Sequence, residues 1–123
     1  MPERTKAAKR PAPNKNKKIT SVDQRARVVR VIRALPKGKV SSYGAVAKAA
    51  GWPGAARQVV RLLQQVAGLP WHRVVGVGGA IKLPGENGAE QRFRLRMEGV
   101  TFCGARVDMK LHEFRFPRKR NER

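Results

Sequence analysis

Apolar residues recur with a helical period through the first half of the chain. Val28, Ile32 and Leu35 share one face of a helix predicted from Asp23 to Leu35. Thr20 or Ser21 can cap its start, and Pro36 followed by Gly38 stops it. Ser41 and Ser42 then precede a short Ala-rich segment, Tyr43–Ala50, closed by Gly51. Pro53 and Gly54 introduce a third helix, Ala55–Val66, with Val59, Leu62, Leu63 and Val66 on its apolar side. Arg57 and Arg61 stand one turn apart on an exposed face of that helix. Two short helices joined by a tight glycine-containing turn, the second carrying exposed arginines, make a helix-turn-helix pattern. Any small helical bundle can show similar punctuation.

Beyond Gly68 the period changes. His72–Gly76 and Ala80–Leu83 read as two short strands around Gly78-Gly79, a hairpin. Pro84–Gly88 reads as a loop, and Ala89–Glu98 as a helix ended by Gly99. Val100–Phe116 alternates irregularly, enough for a further strand and a turn. The expected architecture is mainly α with a small β-hairpin, a winged-helix-like helix-turn-helix domain over residues 19–116. Residues 1–18 have no apolar period, three prolines and dense Lys/Arg. Such a segment cannot bury enough surface to offset its ordering entropy, so a disordered basic arm is expected there, and a short basic tail over residues 117–123.

A chain of 123 residues leaves room for one domain. Its charge changes the picture more than its length does. Lys and Arg total 28 against 8 Asp and Glu, a formal +20. Seven of the bases and one acid fall in residues 1–18, and five and one in residues 115–123, so the body between them still carries +10. A body this basic repels itself unless a polyanion is near, which makes nucleic acid the first partner to consider and the helix-turn-helix a DNA-binding domain. An anionic membrane is the rival, but no run approaches the ~20 apolar residues of a span and none resembles an apolar signal segment. A cytoplasmic monomer is expected. With Cys103 as the only cysteine, neither an intrachain disulfide nor a thiolate zinc cluster can form. Nothing points to a metal, a nucleotide or an organic cofactor.

Four stretches carry a family resemblance: SSYGAVAKAAG (41–51), GAARQVV (54–60), LPWHRVVGVGGAI (69–81) and AEQRFRLRMEGV (89–100). Together, over about residues 25–116, the chain resembles the O6-alkylguanine-DNA alkyltransferase family, and most of all its bacterial alkyltransferase-like branch, whose signature is PWHRV. The transferases carry their acceptor cysteine in PCHRV; Trp71 stands at that position here. An indole nitrogen is neither basic nor nucleophilic at neutral pH, so alkyl transfer to this position is excluded. Cys103 lies far along the chain in TFCG, without an adjacent His to activate it, and reads as a buried structural thiol. The resemblance therefore implies a protein without catalytic residues. It would bind O6-alkylguanine in double-stranded DNA through the minor groove, flip the lesion out without dealkylating it, and flag it for nucleotide excision repair proteins.

The resemblance also implies roles for particular residues. Tyr43, otherwise a half-buried tyrosine closing a turn, would press on the phosphate beside the damaged nucleotide. Arg57, otherwise a solvated arginine, would fill the gap left by the flipped base, with small Ala55 and Ala56 letting the helix approach the groove floor. Arg61 would hold a phosphate, and Val60 stands where many relatives have glycine. Trp71, His72, Arg73, Val74, Lys82, Leu83 and Glu98 would form or shape the lesion pocket. His72 and Glu98 match a proton relay that has lost its purpose without a thiol, and are expected to persist as buried hydrogen-bonding partners. Arg73 is expected to pair with an acid or cap carbonyls. The Ile81–Gly88 loop would supply a pocket wall, with Leu83-Pro84 where some relatives carry a basic side chain. Three other readings fit parts of the sequence: an active transferase using Cys103, a helix-turn-helix regulator reading the major groove, and a nonspecific basic DNA-coating protein.

Overall fold

In the computed structural model, residues 21–117 are described; the basic arm and all of the tail beyond Pro117 lie outside them. Helix α1 (Ser21–Arg33) opens with Asp23 in its first turn and ends with Arg30 and Arg33 in its last, charges that complement its dipole. Val28, Ile32 and Leu35 are buried, as their spacing predicts. The helix ends two residues before Leu35, whose N–H bonds to the Ile32 carbonyl at 3.1 Å in a tightened turn ahead of Pro36. Helix α2 (Tyr43–Ala49) is capped by Ser42, whose side-chain oxygen accepts the Ala45 N–H at 3.1 Å. Helix α3 (Ala56–Gln65) buries Val59 and Leu62 and packs against α2, which also packs against α1. The three helices enclose one core of Val28, Ile32, Leu35, Val46, Ala47, Val59, Leu62 and their neighbours.

The β-structure departs from the prediction. His72 and Arg73 belong to a 3-10 turn, Trp71–Arg73, and the hairpin expected over His72–Gly76 and Ala80–Leu83 does not form. Instead β1 (Ser41–Ser42) pairs in parallel with β2 (Val74–Val75), Ser41 opposite Val74 and Ser42 opposite Val75. Val74 and Val75 are both fully buried, the pattern of a strand covered on two faces rather than a solvated hairpin arm. Val74 joins the three-helix core, and Val75 a second core with Val40, Leu95, Val100 and Val107. What remains of the predicted hairpin is one bond, Gly76 N–H to the Ala80 carbonyl at 2.8 Å, across a 3-10 turn at Val77–Gly79. Gly79 is buried with a left-handed φ of 90°, and a Cβ there would strike the Val107 backbone. That close approach draws the chain toward Val107, and Ala80 bridges Arg106 rather than closing a ladder on Val75.

Helix α4 (Gly85–Met97) begins four residues before the predicted start, so most of the stretch expected as a loop at Pro84–Gly88 is its first turn. Pro84 occupies the N-cap position, and Gly88 is buried so closely under the preceding loop that any Cβ would collide with the Leu83 carbonyl oxygen. The small hairpin lies later, as β3 (Phe102–Cys103) antiparallel to β4 (Arg106–Val107). Cys103 is exposed there, not buried as expected, because it sits beside the Gly104-Ala105 turn of a hairpin whose buried member is Val107. The short helix α5 (Met109–His112) follows, and the chain returns along β1: Val40 N–H bonds to the His112 carbonyl and Phe114 N–H to the Val40 carbonyl, each at 2.8 Å. Among the described residues no helix is long and apolar enough to cross a membrane.

Candidate nucleic-acid interface

Helix α3 presents the exposed cations. Ala55 is buried at its start, Ala56 half-buried, and Arg57 and Arg61 are both exposed, one turn apart. Beside this helix opens a cavity of about 350 Å³ lined by Tyr43, Val60, Leu63, Gln64, Trp71, Leu83 and Asn87. The volume falls toward the low end of ligand pockets, ~300–1,000 Å³. Its walls are two aromatic rings, three aliphatic side chains and two carboxamides, with no charged and no nucleophilic group among them. Such a lining suits a flat, neutral group with hydrogen-bonding edges, because each carboxamide both donates and accepts. Burial raises the Tyr43 phenol above its ordinary range, so it stays an O–H donor at neutral pH.

The residues expected to form the lesion pocket divide in two. Trp71 and Leu83 line the cavity; His72, Arg73, Val74, Lys82 and Glu98 do not. His72, Arg73 and Glu98 form a polar cluster behind the Trp71 turn. His72 Nε2 lies 2.7 Å from Glu98 Oε2, Arg73 Nη2 donates to the same oxygen at 2.7 Å, and Arg73 Nε donates to Oε1 at 3.0 Å. Arg73 Nη1 reaches back to the Leu35 carbonyl at 2.9 Å, so it both pairs with an acid and caps a carbonyl. Gly38 N–H donates to Glu98 Oε1 at 3.1 Å. Burial pushes the Glu98 carboxyl up, but the bonds from Arg73, His72 and Gly38 outweigh it and hold it at about 2. An ionised carboxylate only accepts, so His72 Nε2 carries the hydrogen, and the buried Nδ1 is left without a partner among the described residues. Gln91, buried on α4, donates to the carbonyls of His72 at 3.2 Å and Val74 at 2.8 Å and fixes the turn from the other side. Val74 is core, and the Lys82 stem lies over Gly76.

Three cavity residues carried no motif: Leu63, Gln64 and Asn87. Gln64 shares the helical stripe of Arg57 and Val60, a spacing that could have exposed it. Asn87 falls within the Ile81–Gly88 segment expected to supply a wall, which Leu83 and Asn87 do, but it lies in the first turn of α4 and was not singled out there. The one thiol stands apart from the cavity. Asp108 repels the thiolate of Cys103 and accepts its hydrogen bond, raising its pKa and holding it as a weak nucleophile.

A helix-turn-helix with exposed arginines beside a neutral, aromatic-walled cavity defines a class of DNA-binding domain. Residues 23–100 match the sequence profile of the 6-O-methylguanine DNA methyltransferase DNA binding domain, and the chain belongs to that family. It is 40% identical to the DNA base-flipping protein of Escherichia coli over 114 residues, 89% of this chain and 87% of that one. It is 39% identical over 67 residues to alkyltransferase-like protein 1 of Schizosaccharomyces pombe, 52% of this chain and 62% of that one. The crystal structure of S. pombe Atl1 in complex with damaged DNA containing O6-carboxymethylguanine superposes with a TM-score of 0.65 at 28% identity, covering 76% of this chain and 96% of that one.

Proposed function

We propose that this protein is a non-enzymatic sensor of O6-alkylguanine in duplex DNA. Helix α3 enters the minor groove, its small Ala55 and Ala56 permitting the close approach that a narrow groove requires. Tyr43 bears on the phosphate beside the lesion, Arg57 takes the place of the extruded base in the stack, and Arg61 holds a neighbouring phosphate. The extruded base enters the cavity and rests against Trp71, with Gln64 and Asn87 within the same lining to meet its edges. Extrusion costs a few kcal/mol. Alkylation at O6 weakens pairing to cytosine, so a lesion is extracted more cheaply than guanine.

The observation that carries this reading is the chemistry of the cavity. It accepts a neutral planar group and offers nothing that can take an alkyl group from it, because indole is no nucleophile and the exposed thiol of Cys103 lies outside the lining. The similarity to proteins named for base flipping and to Atl1 supports the same reading. A lesion bound and left intact is useful only if another activity removes it, and in this reading the bound complex flags the site for nucleotide excision repair proteins.

The test compares duplexes with and without one O6-methylguanine whose methyl group is labelled. A lesion preference should persist as salt rises, since added counterions erode only the phosphate contribution shared by both duplexes. The protein should acquire no label. Equal binding that collapses together with salt would leave only a nonspecific DNA coat, and stoichiometric label on Cys103 would make the protein a transferase.

A further inference from the structure

Trp71 belongs to two concavities. It lines the cavity described above, and it also lines an open groove of about 610 Å³ formed by Arg33, residues 68–73 and Arg94; no other residue is common to both linings. On the groove side the Arg94 guanidinium lies over the indole, 5.6 Å from its ring centroid, while Arg94 takes no part in lining the cavity. Arg94 is itself held from one turn earlier on α4, its Nε donating to Glu90 Oε2 at 2.6 Å. The His72 ring meets the indole edge-on, with centroids 6.2 Å apart and planes at 83°. The indole is thus braced from α4 on one side and from the Glu98 cluster on another.

The pair itself is half exposed, and an exposed helical ion pair of this kind contributes little to stability. Its position over the indole gives it a different consequence. A cation is attracted to the electron-rich face of an indole and favours one ring orientation over its alternatives. A wall against which a flat base stacks works only if its plane is set before the base arrives.

We infer that Arg94, oriented by Glu90, is a positioning residue for lesion recognition: it sets the plane of Trp71 from behind, so that the opposite side of the ring is ready to receive the extruded base. The inference rests on the lesion-binding reading given above. It gives α4, which already lends Asn87 to the cavity lining, a second link to the site through the ring of Trp71.

The test uses the full chain with Trp52→Phe, which leaves Trp71 as the only indole emitter. In that background Arg94→Gln should alter the Trp71 emission of the free protein and lower affinity for an O6-methylguanine duplex by about threefold to tenfold. Affinity for undamaged duplex should fall less, and Arg94→Lys should restore most of the emission and of the lesion preference. Glu90→Gln separates positioning from bulk charge, because it makes the protein more positive while releasing Arg94. Positioning requires the lesion preference to fall; a role as one more cation requires both affinities to rise together. Thermal unfolding midpoints confirm that each variant is folded. Unchanged emission with an equal loss on both duplexes in Arg94→Gln, or a joint rise in Glu90→Gln, overturns the inference. Absence of lesion preference in the parent protein would instead overturn the lesion reading, and the emission change would still report whether Arg94 braces Trp71.

Discussion

Glu98→Gln removes one charge from five hydrogen-bond contacts while keeping the shape of the side chain. Gly38, His72 and Arg73 all donate to this carboxylate, which is mostly buried. Its pKa of about 2, against 4.5 for the free group, means that the folded protein binds this proton less readily than the unfolded chain does. The resulting stabilisation is therefore complete above pH 4.5 and is lost as pH falls through about 2. A gap of that size corresponds to about 3 kcal/mol, near the lower end of the cost of breaking a buried ion pair by removing one partner.

Urea unfolding of the parent protein and Glu98→Gln, repeated from pH 7 to pH 2, reads this directly. At pH 7 the variant should be less stable by about 3 kcal/mol. The difference should hold down to about pH 4.5 and close toward pH 2, where Glu98 of the parent also becomes neutral. Every other carboxylate titrates in both proteins and cancels in the difference. A difference that stays constant down to pH 2 would refute the reasoning, because the loss would then come from altered packing and not from the charge.

Two further outcomes follow from the site. Arg57→Ala should lower affinity for the lesion duplex by about 1–3 kcal/mol, the scale of one good arginine contact to a base, and affect undamaged DNA much less, whereas Arg61→Ala should weaken both about equally; a fluorescent base analogue at the lesion should brighten with the parent protein and much less with Arg57→Ala. Asp108→Asn removes the largest influence raising the Cys103 pKa, so the exposed thiol should react faster with an alkylating reagent at mildly alkaline pH; an unchanged rate would mean that Asp108 does not hold the thiol protonated.

The helical half of the fold was legible because its signals are local. Val28, Ile32 and Leu35, then Val59 and Leu62, mark buried faces by spacing alone, and the observed helices end within two residues of the prediction. The β-structure was not legible, for a physical reason. Ser41 and Ser42 meet Val74 and Val75 in a parallel ladder of two residues a side, too short for any alternation and joining segments far apart in sequence. Glycines misled in two places. Gly78-Gly79 resembled a hairpin turn, yet Gly79 is there for contact with the Val107 backbone, and Gly85 to Gly88 resembled a loop because glycine disfavours helices in general. At Gly88 the carbonyl of Leu83 leaves no room for anything larger.

The same geometry explains why the expected site residues separated. Trp71, His72 and Arg73 are consecutive letters of one motif, but in the 3-10 turn the side chain of Trp71 leaves in a different direction from the two that follow, whose polar ends meet on Glu98. Trp71 goes to the cavity, and His72 and Arg73 go to Glu98 behind it. Tyr43 and Trp71, the two aromatic walls, are then related through the parallel ladder: Tyr43 follows directly from Ser42, and the Trp71–Arg73 turn runs directly into Val74, the partner of Ser41. Glu98 supports the same junction from below through Arg73 and Gly38, and Gln91 through the carbonyls of His72 and Val74. His72 and Glu98, expected as buried hydrogen-bonding partners, are bonded to each other at the junction from which both aromatic walls start. Bracing of this kind needs no reactive group, because a cavity that receives a flat group depends on walls whose placement is fixed beforehand.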